Sequence, residues 1–324
     1  MASKKVLITG GAGFIGGHLS KLFLEKGWEV TIIDNLLSGR MENIEELKSN
    51  PNFKFVIEDI RNEMVIDRLA SDTDLIIHLA AALGVFSIVN SPLESLEINI
   101  DGTEKVLKAA NRYKKKILIA STSEVYGKST KYPYAEDDDT VFGATTKNRW
   151  SYAAAKQLDE FMGLAYYNSY NLPVVVFRLF NTVGPRQRGH YGMVVPRFVK
   201  WALKNEDIQI YGDGTQSRCF GNVFDVIEAI YKLSQEEKAL GQVFNIGSTD
   251  ELTIKQLAEK VIELTGSKSQ IKLIPYENVY GKGFEDMTKR VPDITKIKAT
   301  IDWKPTTKID DTLMQVIEYE KVND

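Results

Sequence analysis

The 324 residues carry 41 lysines and arginines against 44 acids, a net charge of −3, with 43% hydrophobic and 26% charged residues. That balance is ordinary for a globular chain with core enough for one large or two modest domains, and it gives no electrostatic reason to bind nucleic acid or an anionic membrane. One cysteine, Cys219, excludes an internal disulfide and fits a reducing compartment; the histidines His18, His78 and His190 are too scattered to form a recognisable metal site. No run is apolar for long enough to span a membrane, and glycines cut short any signal-peptide core after Thr9, so a cytoplasmic protein is the expectation.

The chain opens with Lys5-Val6-Leu7-Ile8-Thr9, a short β-branched run that reads as a buried strand. Gly10-Gly11-Ala12-Gly13-Phe14-Ile15-Gly16 follows at once, and helical periodicity begins near His18. The glycines therefore stand where a strand turns into a helix. Gly10 allows the turn, Gly13 lets backbone approach a pyrophosphate, and Gly16 lets the helix pack on the sheet. A second strand, Glu29 to Ile33, ends at Asp34, about 20 residues beyond the glycines, where an acid binds adenosine ribose hydroxyls. A carboxylate there repels a 2′-phosphate, which favours NAD over NADP; its plain alternative is a turn cap.

Further strands are predicted at Phe53 to Ile57, Leu75 to Leu79, Lys116 to Ala120 and Pro173 to Phe177, with helices between them. The alternation implies a parallel sheet covered on both faces, with ligands beyond the carboxyl ends of the strands. Long helices are expected from about Leu93 to Tyr113 and from Tyr152 to Tyr170. After Phe180 the rhythm breaks: Pro185, Gly189, Gly192 and Pro196 mark an irregular connection. Short strands (Ile208 to Tyr211, Val243 to Ile246, Ile271 to Ile274) then mix with helices near Asp225, Thr253 and Asp310. The fold class is thus α/β, a Rossmann-type doubly wound parallel sheet with a smaller C-terminal substrate domain. Residues 1–180 plus about 219–247 form the first domain, and about 181–218 plus 248–324 the second.

Tyr152 and Lys156 carry the chemistry. At i and i+4 they lie on one helix face, and an ammonium beside a phenol lowers the tyrosine pKa from about 10. A tyrosine so tuned takes a proton from an alcohol while a nicotinamide takes the hydride.

These residues resemble the extended short-chain dehydrogenase/reductase family that modifies nucleotide sugars. The matching segments are Thr9 to Gly16, Asp34-Asn35, Asp59-Ile60, His78-Leu79-Ala80-Ala81, Asn99, Ser121 to Gly127, Tyr152 to Lys156, Arg178 to Arg186, Tyr211 to Arg218 and Arg290 to Asp293. The resemblance implies NAD as cofactor, met by Gly10, Gly13, Phe14, Ile15, Gly16, Asp34, Asn35, Asp59, Ile60, Leu79, Ala80, Ala81, Asn99, Tyr152 and Lys156. It makes Tyr152 the base, Lys156 the holder of the nicotinamide ribose, and Thr122 a hydrogen-bond partner of the sugar hydroxyl. Asn181 and Arg218 meet the sugar pyrophosphate, Pro196 and Tyr211 lie near the base, and Arg290 is a further phosphate or ribose contact. A homodimer through the two long helices is also implied.

The family divides by the step after oxidation at carbon 4. Dehydratases resemble Thr-Asp-Glu where this chain has Thr122-Ser123-Glu124, and Ser123 is a poor general acid. Simple epimerases carry a small or apolar residue in place of Glu124. Thr-Ser-Glu-Val-Tyr-Gly is most similar to UDP-glucuronate decarboxylases, including UDP-xylose synthases and the bacterial lipid A-modifying enzyme, and Arg149-Trp150-x-Tyr152, Lys156-Gln157 and Arg218-Cys219-Phe220 resemble that lipid A branch and UDP-apiose synthase. Arg149, Arg186 and Arg188 are each candidates to receive a uronate carboxylate, and sequence does not rank them. Gln187-Arg188 after Pro185-Arg186 is also similar to UDP-glucuronate 4-epimerases, so decarboxylation stands first and 4-epimerisation of UDP-glucuronate or UDP-glucose second, ahead of 4,6-dehydration and of a non-catalytic NAD-binding role.

Overall fold

The computed structural model describes residues 3–84, 91–189, 193–280 and 285–323; His190 and Gly192 lie outside them. Seven parallel strands form the central sheet, in the order β11-β6-β5-β4-β1-β2-β3. β1 (Lys5–Thr9), β2 (Glu29–Asp34), β3 (Phe53–Ile57), β4 (Leu75–His78), β5 (Lys116–Thr122) and β6 (Val174–Leu179) fall on the predicted runs, and β11 (Gln242–Ile246) adds the far edge. The order reverses between β1 and β4, which places a crevice beyond their carboxyl ends.

Helices cover both faces. On one side Phe23, Trp28, Phe177 and Val226 share a core with α1 (Phe14–Glu25) and a later helix, Val223–Gln235. On the other, α2 (Glu63–Ser71), α3 (Pro92–Arg112) and α4 (Ser151–Tyr170) enclose Ile66, Val106, Ile119 and Val176. The inner strands β1, β4, β5 and β6 are buried on both faces, so they read as continuous apolar runs instead of alternating ones, whereas the edge strand β3 exposes Phe55 and Ile57.

α4 is fastened to the sheet by a buried fork. Arg178 on β6 donates from Nε to Glu160 Oε1 (2.9 Å) and from Nη2 to Oε2 (2.7 Å), and Ser121 on β5 donates to the same carboxylate. Tyr126 joins from the other side, its hydroxyl accepting from Arg178 (2.9 Å) and donating to Asn245 (2.7 Å).

The predicted irregular connection is more ordered than expected. It holds β7 (Thr182–Val183) and α5 (Val194–Leu203), with Pro196 in the first turn, where a missing N–H costs nothing. Beyond it, β8 (Ile208–Tyr211) pairs with β13 (Ile271–Ile274), and β9 (Ser217–Cys219) lies between β12 (Glu251–Thr253) and β14 (Lys289–Arg290). β10 (Gly221–Asn222) pairs with β7. α6 (Val223–Gln235) packs on α1, while α7 (Ile254–Thr265) and α10 (Ile309–Asn323) pack with α5 around Phe198, Leu257 and Leu313. The short α8 (Glu277–Tyr280) and α9 (Thr295–Ile301) lie between them in sequence. No described helix is long and apolar enough to cross a membrane.

Candidate active site

A cavity of about 500 Å³ runs along the carboxyl edge of the sheet and on between α5, β8 and β14. At one end stands the glycine turn. Gly10 has φ +69°, and a Cβ there would lie 2.8 Å from Ala80 N; a Cβ on Gly16 would lie 2.2 Å from Gly10 O. The turn therefore tolerates no side chain at either position. Gly13 is the N-cap of α1 and offers no side chain to its first-turn amides, leaving them for an anion. Asp34 closes this end. Its carboxylate accepts from Ala12 N (3.0 Å) and Leu36 N (2.8 Å) and still faces the cavity. Burial raises its pKa, and the two amide bonds oppose the rise. A backbone cradle without Cβ atoms and a carboxylate where a ribose diol falls fit NAD.

The catalytic candidates converge at the middle. Thr122 ends β5, and its hydroxyl accepts from Glu124 N (3.3 Å), so the chain turns into a 3₁₀ segment, Ser123–Tyr126. Ser123 Oγ is buried with no partner, a polar atom left for a ligand. Tyr152 and Lys156 enter from the first two turns of α4. Beneath them Tyr126, Tyr134, Trp150, Phe180 and Met287 form a compact cluster, with Tyr126 stacked on Tyr134 at 4.4 Å. Trp150 is core, its indole donating to Glu285 (2.8 Å).

Glu124 is the centre of an ion network. Its Oε2 accepts from Arg149 Nη1 at 2.5 Å, and its Oε1 lies 3.5 Å from Arg290. Arg149 also reaches Asp286 (3.3 Å), and Asp286 reaches Arg218 (3.1 Å). Burial raises the Glu124 carboxyl, but the charges of Arg149 and Arg290 outweigh it and hold the group below its ordinary range. Burial pushes Arg218 down to about 10, Arg290 adds to the fall and Asp286 opposes it, so the guanidinium stays cationic at neutral pH.

One expectation is corrected here. Lys156 does not lower the Tyr152 pKa in this structure. Burial raises the phenol, Glu124 and then Asp159 raise it further, and only Arg290 pulls it down. The reason is geometric: Lys156 Nζ donates to Asp159 Oδ2 at 2.7 Å, one turn on, and its charge is compensated.

Three other candidates are not at the cavity wall. Asp59 is turned into a bidentate pair with Arg61 and a bond from Asn35, leaving Glu58 and Ile60 at the wall. Asn99 is buried behind it, bonding both Ala82 N (2.9 Å) and Ala82 O (3.1 Å), so it shapes the Leu79–Ala82 segment instead of lining the site. Pro196 is buried in α5, and its neighbour Arg197 lines the cavity, with its guanidinium 4.6 Å from the Tyr211 ring centroid. Arg186 is at the wall but tied to Glu46 (2.6 Å) and Asn43 O (2.9 Å) near the glycine turn; Arg188 is an exposed wall residue. Gly10, Gly13, Phe14, Ile15, Gly16, Asp34, Asn35, Ile60, Leu79, Ala80, Ala81, Asn181, Tyr211, Arg218 and Arg290 all line the cavity. Among the described residues no group of three or more His, Cys, Asp or Glu could hold a metal.

Residues 7–316 match the family described as GDP-mannose 4,6 dehydratase. The chain belongs to that family, within the extended short-chain dehydrogenases/reductases. A UDP-N-acetyl-alpha-D-glucosaminuronate decarboxylase of Bacillus cytotoxicus is 44% identical over 98% of this chain and 97% of the relative. UDP-glucuronic acid decarboxylase 1 of Danio rerio is 34% identical over 98% of this chain and 72% of its own length. Among solved structures, a UDP-glucuronic acid 4-epimerase of Bacillus cereus in complex with UDP-glucuronic acid and NAD superposes with TM-score 0.89 at 29% identity, covering 99% of this chain and all of that one.

Proposed function

We propose that this chain is an NAD-dependent decarboxylase of a UDP-linked uronic acid, acting through transient oxidation at carbon 4. The observation that carries the reading is the Thr122-Ser123-Glu124 edge set beside Tyr152 at one cavity. Glu124 is held ionised between two arginines, and a serine stands where dehydration needs an acid. The relative that is 44% identical, named for an N-acetylated uronate, makes that sugar the first to try, ahead of the plain glucuronate named for the 34% relative.

NAD, when bound, supplies the hydride acceptor and a positive charge that favours a phenolate nearby. Tyr152 takes the hydroxyl proton of carbon 4 onto its phenol oxygen, and Thr122 bonds the same hydroxyl. Once carbon 4 is a ketone, the bond from carbon 5 to the carboxylate breaks. Carbon dioxide leaves, the electron pair rests on the ketone oxygen as an enolate, and a proton delivered to carbon 5 restores the ketone; return of the hydride to carbon 4 and of the Tyr152 proton to its oxygen would then close the transient oxidation. Arg149 and Arg290 keep cationic charge around Glu124, and Arg149 is the carboxylate candidate on this edge. Asn181 and Arg218 hold the pyrophosphate, with Tyr211 near the base.

In this reading residues 1–180 with about 219–247 serve the dinucleotide, and about 181–218 with 248–324 the nucleotide sugar. The enzyme is a cytoplasmic homodimer, paired through α3 and α4.

The test is to incubate the protein with NAD and, separately, UDP-N-acetylglucosaminuronate and UDP-glucuronate, and to weigh the products. Loss of carbon dioxide supports the reading. An unchanged mass with an inverted carbon 4 replaces it by 4-epimerisation, and a 4-keto-6-deoxy product from UDP-glucose overturns both.

A further inference from the structure

Lys156 and Asp159 are both almost wholly enclosed, at 3% and 0% exposure, yet only Lys156 reaches the cavity. A carboxylate buried this deeply is costly, and a hydrophobic residue would pack the position more cheaply. Asp159 also belongs to a longer polar chain. Ala80 N bonds Thr9 Oγ1 (3.2 Å), Thr9 Oγ1 bonds His78 Nδ1 (2.7 Å), and His78 Nε2 bonds Thr103 Oγ1 (3.0 Å). Thr103 lies next to Asp159: burial raises the Asp159 carboxyl, Lys156 and then Thr103 oppose the rise, and Asp159 Oδ1 has no hydrogen-bond partner.

One proton ordering serves every link. Ala80 N–H donates to Thr9, Thr9 O–H to His78 Nδ1, His78 Nε2–H to Thr103, and the Thr103 hydroxyl proton is left for Asp159. His78 is neutral, since burial holds it far below its usual range and the Lys156 charge adds to the fall. Every donor in the chain then runs toward Thr103, whose hydroxyl proton is free to support an ionised Asp159. The chain starts at the Ala80 amide beside the glycine turn and ends at the active-site ammonium.

We propose that Asp159 is a positioning residue, the buried counter-ion that keeps Lys156 charged and fixed for the cofactor, ordered from behind by the Thr9-His78-Thr103 chain. The inference rests on NAD being the cofactor and not on which sugar reacts. The charged and titratable groups around Lys156 are few. Tyr152, Asp159 and Glu160 share its helix, and the His78 of β4 feels its charge; Glu124 and Arg290 act on Tyr152. Glu160 is already committed to Arg178. Without Asp159 the ammonium has no neighbouring carboxylate free to replace it.

The experiment measures NAD affinity by calorimetry across pH for wild type, Asp159→Asn and Asp159→Glu. Wild type should bind with little change from about pH 6.5 to about pH 9, whereas Asp159→Asn weakens by ~tenfold or more over that range as the uncompensated ammonium sheds its proton. Asp159→Glu should restore most of the flat profile. Thr103→Val, which keeps the carboxylate but removes its support, should move the same way by less and serves if Asp159→Asn does not fold. A lower melting temperature with pH-independent NAD binding in these variants overturns the proposal and leaves Asp159 a packing ion pair. No NAD binding by wild type would instead refute the cofactor reading.

Discussion

At the scale of single residues, Tyr152 and Glu124 make separable predictions. Tyr152→Phe removes the only hydroxyl at its position and no packing volume to speak of. Turnover should fall by ~10²–10⁴-fold, the usual span for a general base, with NAD binding unchanged in a calorimetric titration; full activity would remove Tyr152 from proton transfer. Glu124 has its folded-state pKa held below 4.5 by two arginines, after burial is overcome. A depressed carboxylate adds stability above its unfolded value, and that share is lost as pH falls through the folded one. The melting temperature of wild type should therefore drop as pH falls below about 4.5, and the drop should be smaller in Glu124→Gln. Equal acid slopes would show that the network adds nothing to folding. The placement of Tyr152, Lys156 and Thr122 at one cavity was legible because helix spacing and strand ends put them in register. Asp159 carried a signal of the same kind, one turn beyond Lys156. Asp286 carried none: it meets Arg149 and Arg218 only through tertiary folding.

At the scale of elements, the active-site helix is placed by side chains that do no chemistry. Arg178 on β6 and Ser121 on β5 grip Glu160 on α4, and the grip sets where Tyr152 and Lys156 project. Arg178→Met leaves Glu160 buried without its partner, a loss of about 3–5 kcal/mol for a broken buried pair. Urea unfolding should show that loss as a lower midpoint at unchanged slope. A midpoint within error of wild type would mean the fork is replaceable. Burial and length also explain which elements sequence could disclose. Strands buried on both faces, such as Leu75–His78, were visible as β-branched runs. β7, β9, β10, β12 and β14 are two or three residues long and have no periodicity to read. α5 was hidden because its proline, tolerated in a first turn, reads as a breaker in a linear scan.

At the scale of the molecule, α4 has two faces with different work. Lys156, Asp159, Glu160 and Gly163 face the interior, while Leu158 (42% exposed) and Phe161 (63%) face out, and Leu93 (68%) is exposed on neighbouring α3. α3 and α4 pack side by side, so both long helices are available to a second copy. A helix that carries the proposed proton-transfer pair on one side gains rigidity if its other side is covered, which ties the proposed dimer to the proposed chemistry. If α3 and α4 form the interface, the melting temperature of wild type rises with protein concentration, because association stabilises only the folded chain. Phe161→Asp places a charge in that contact and should shift elution from dimer to monomer, with a lower and concentration-independent melting temperature. A wild type that elutes as a monomer at every concentration, or a Phe161→Asp variant that stays dimeric, would move the interface off these helices and leave the rigidity of α4 to the Arg178–Glu160 fork alone.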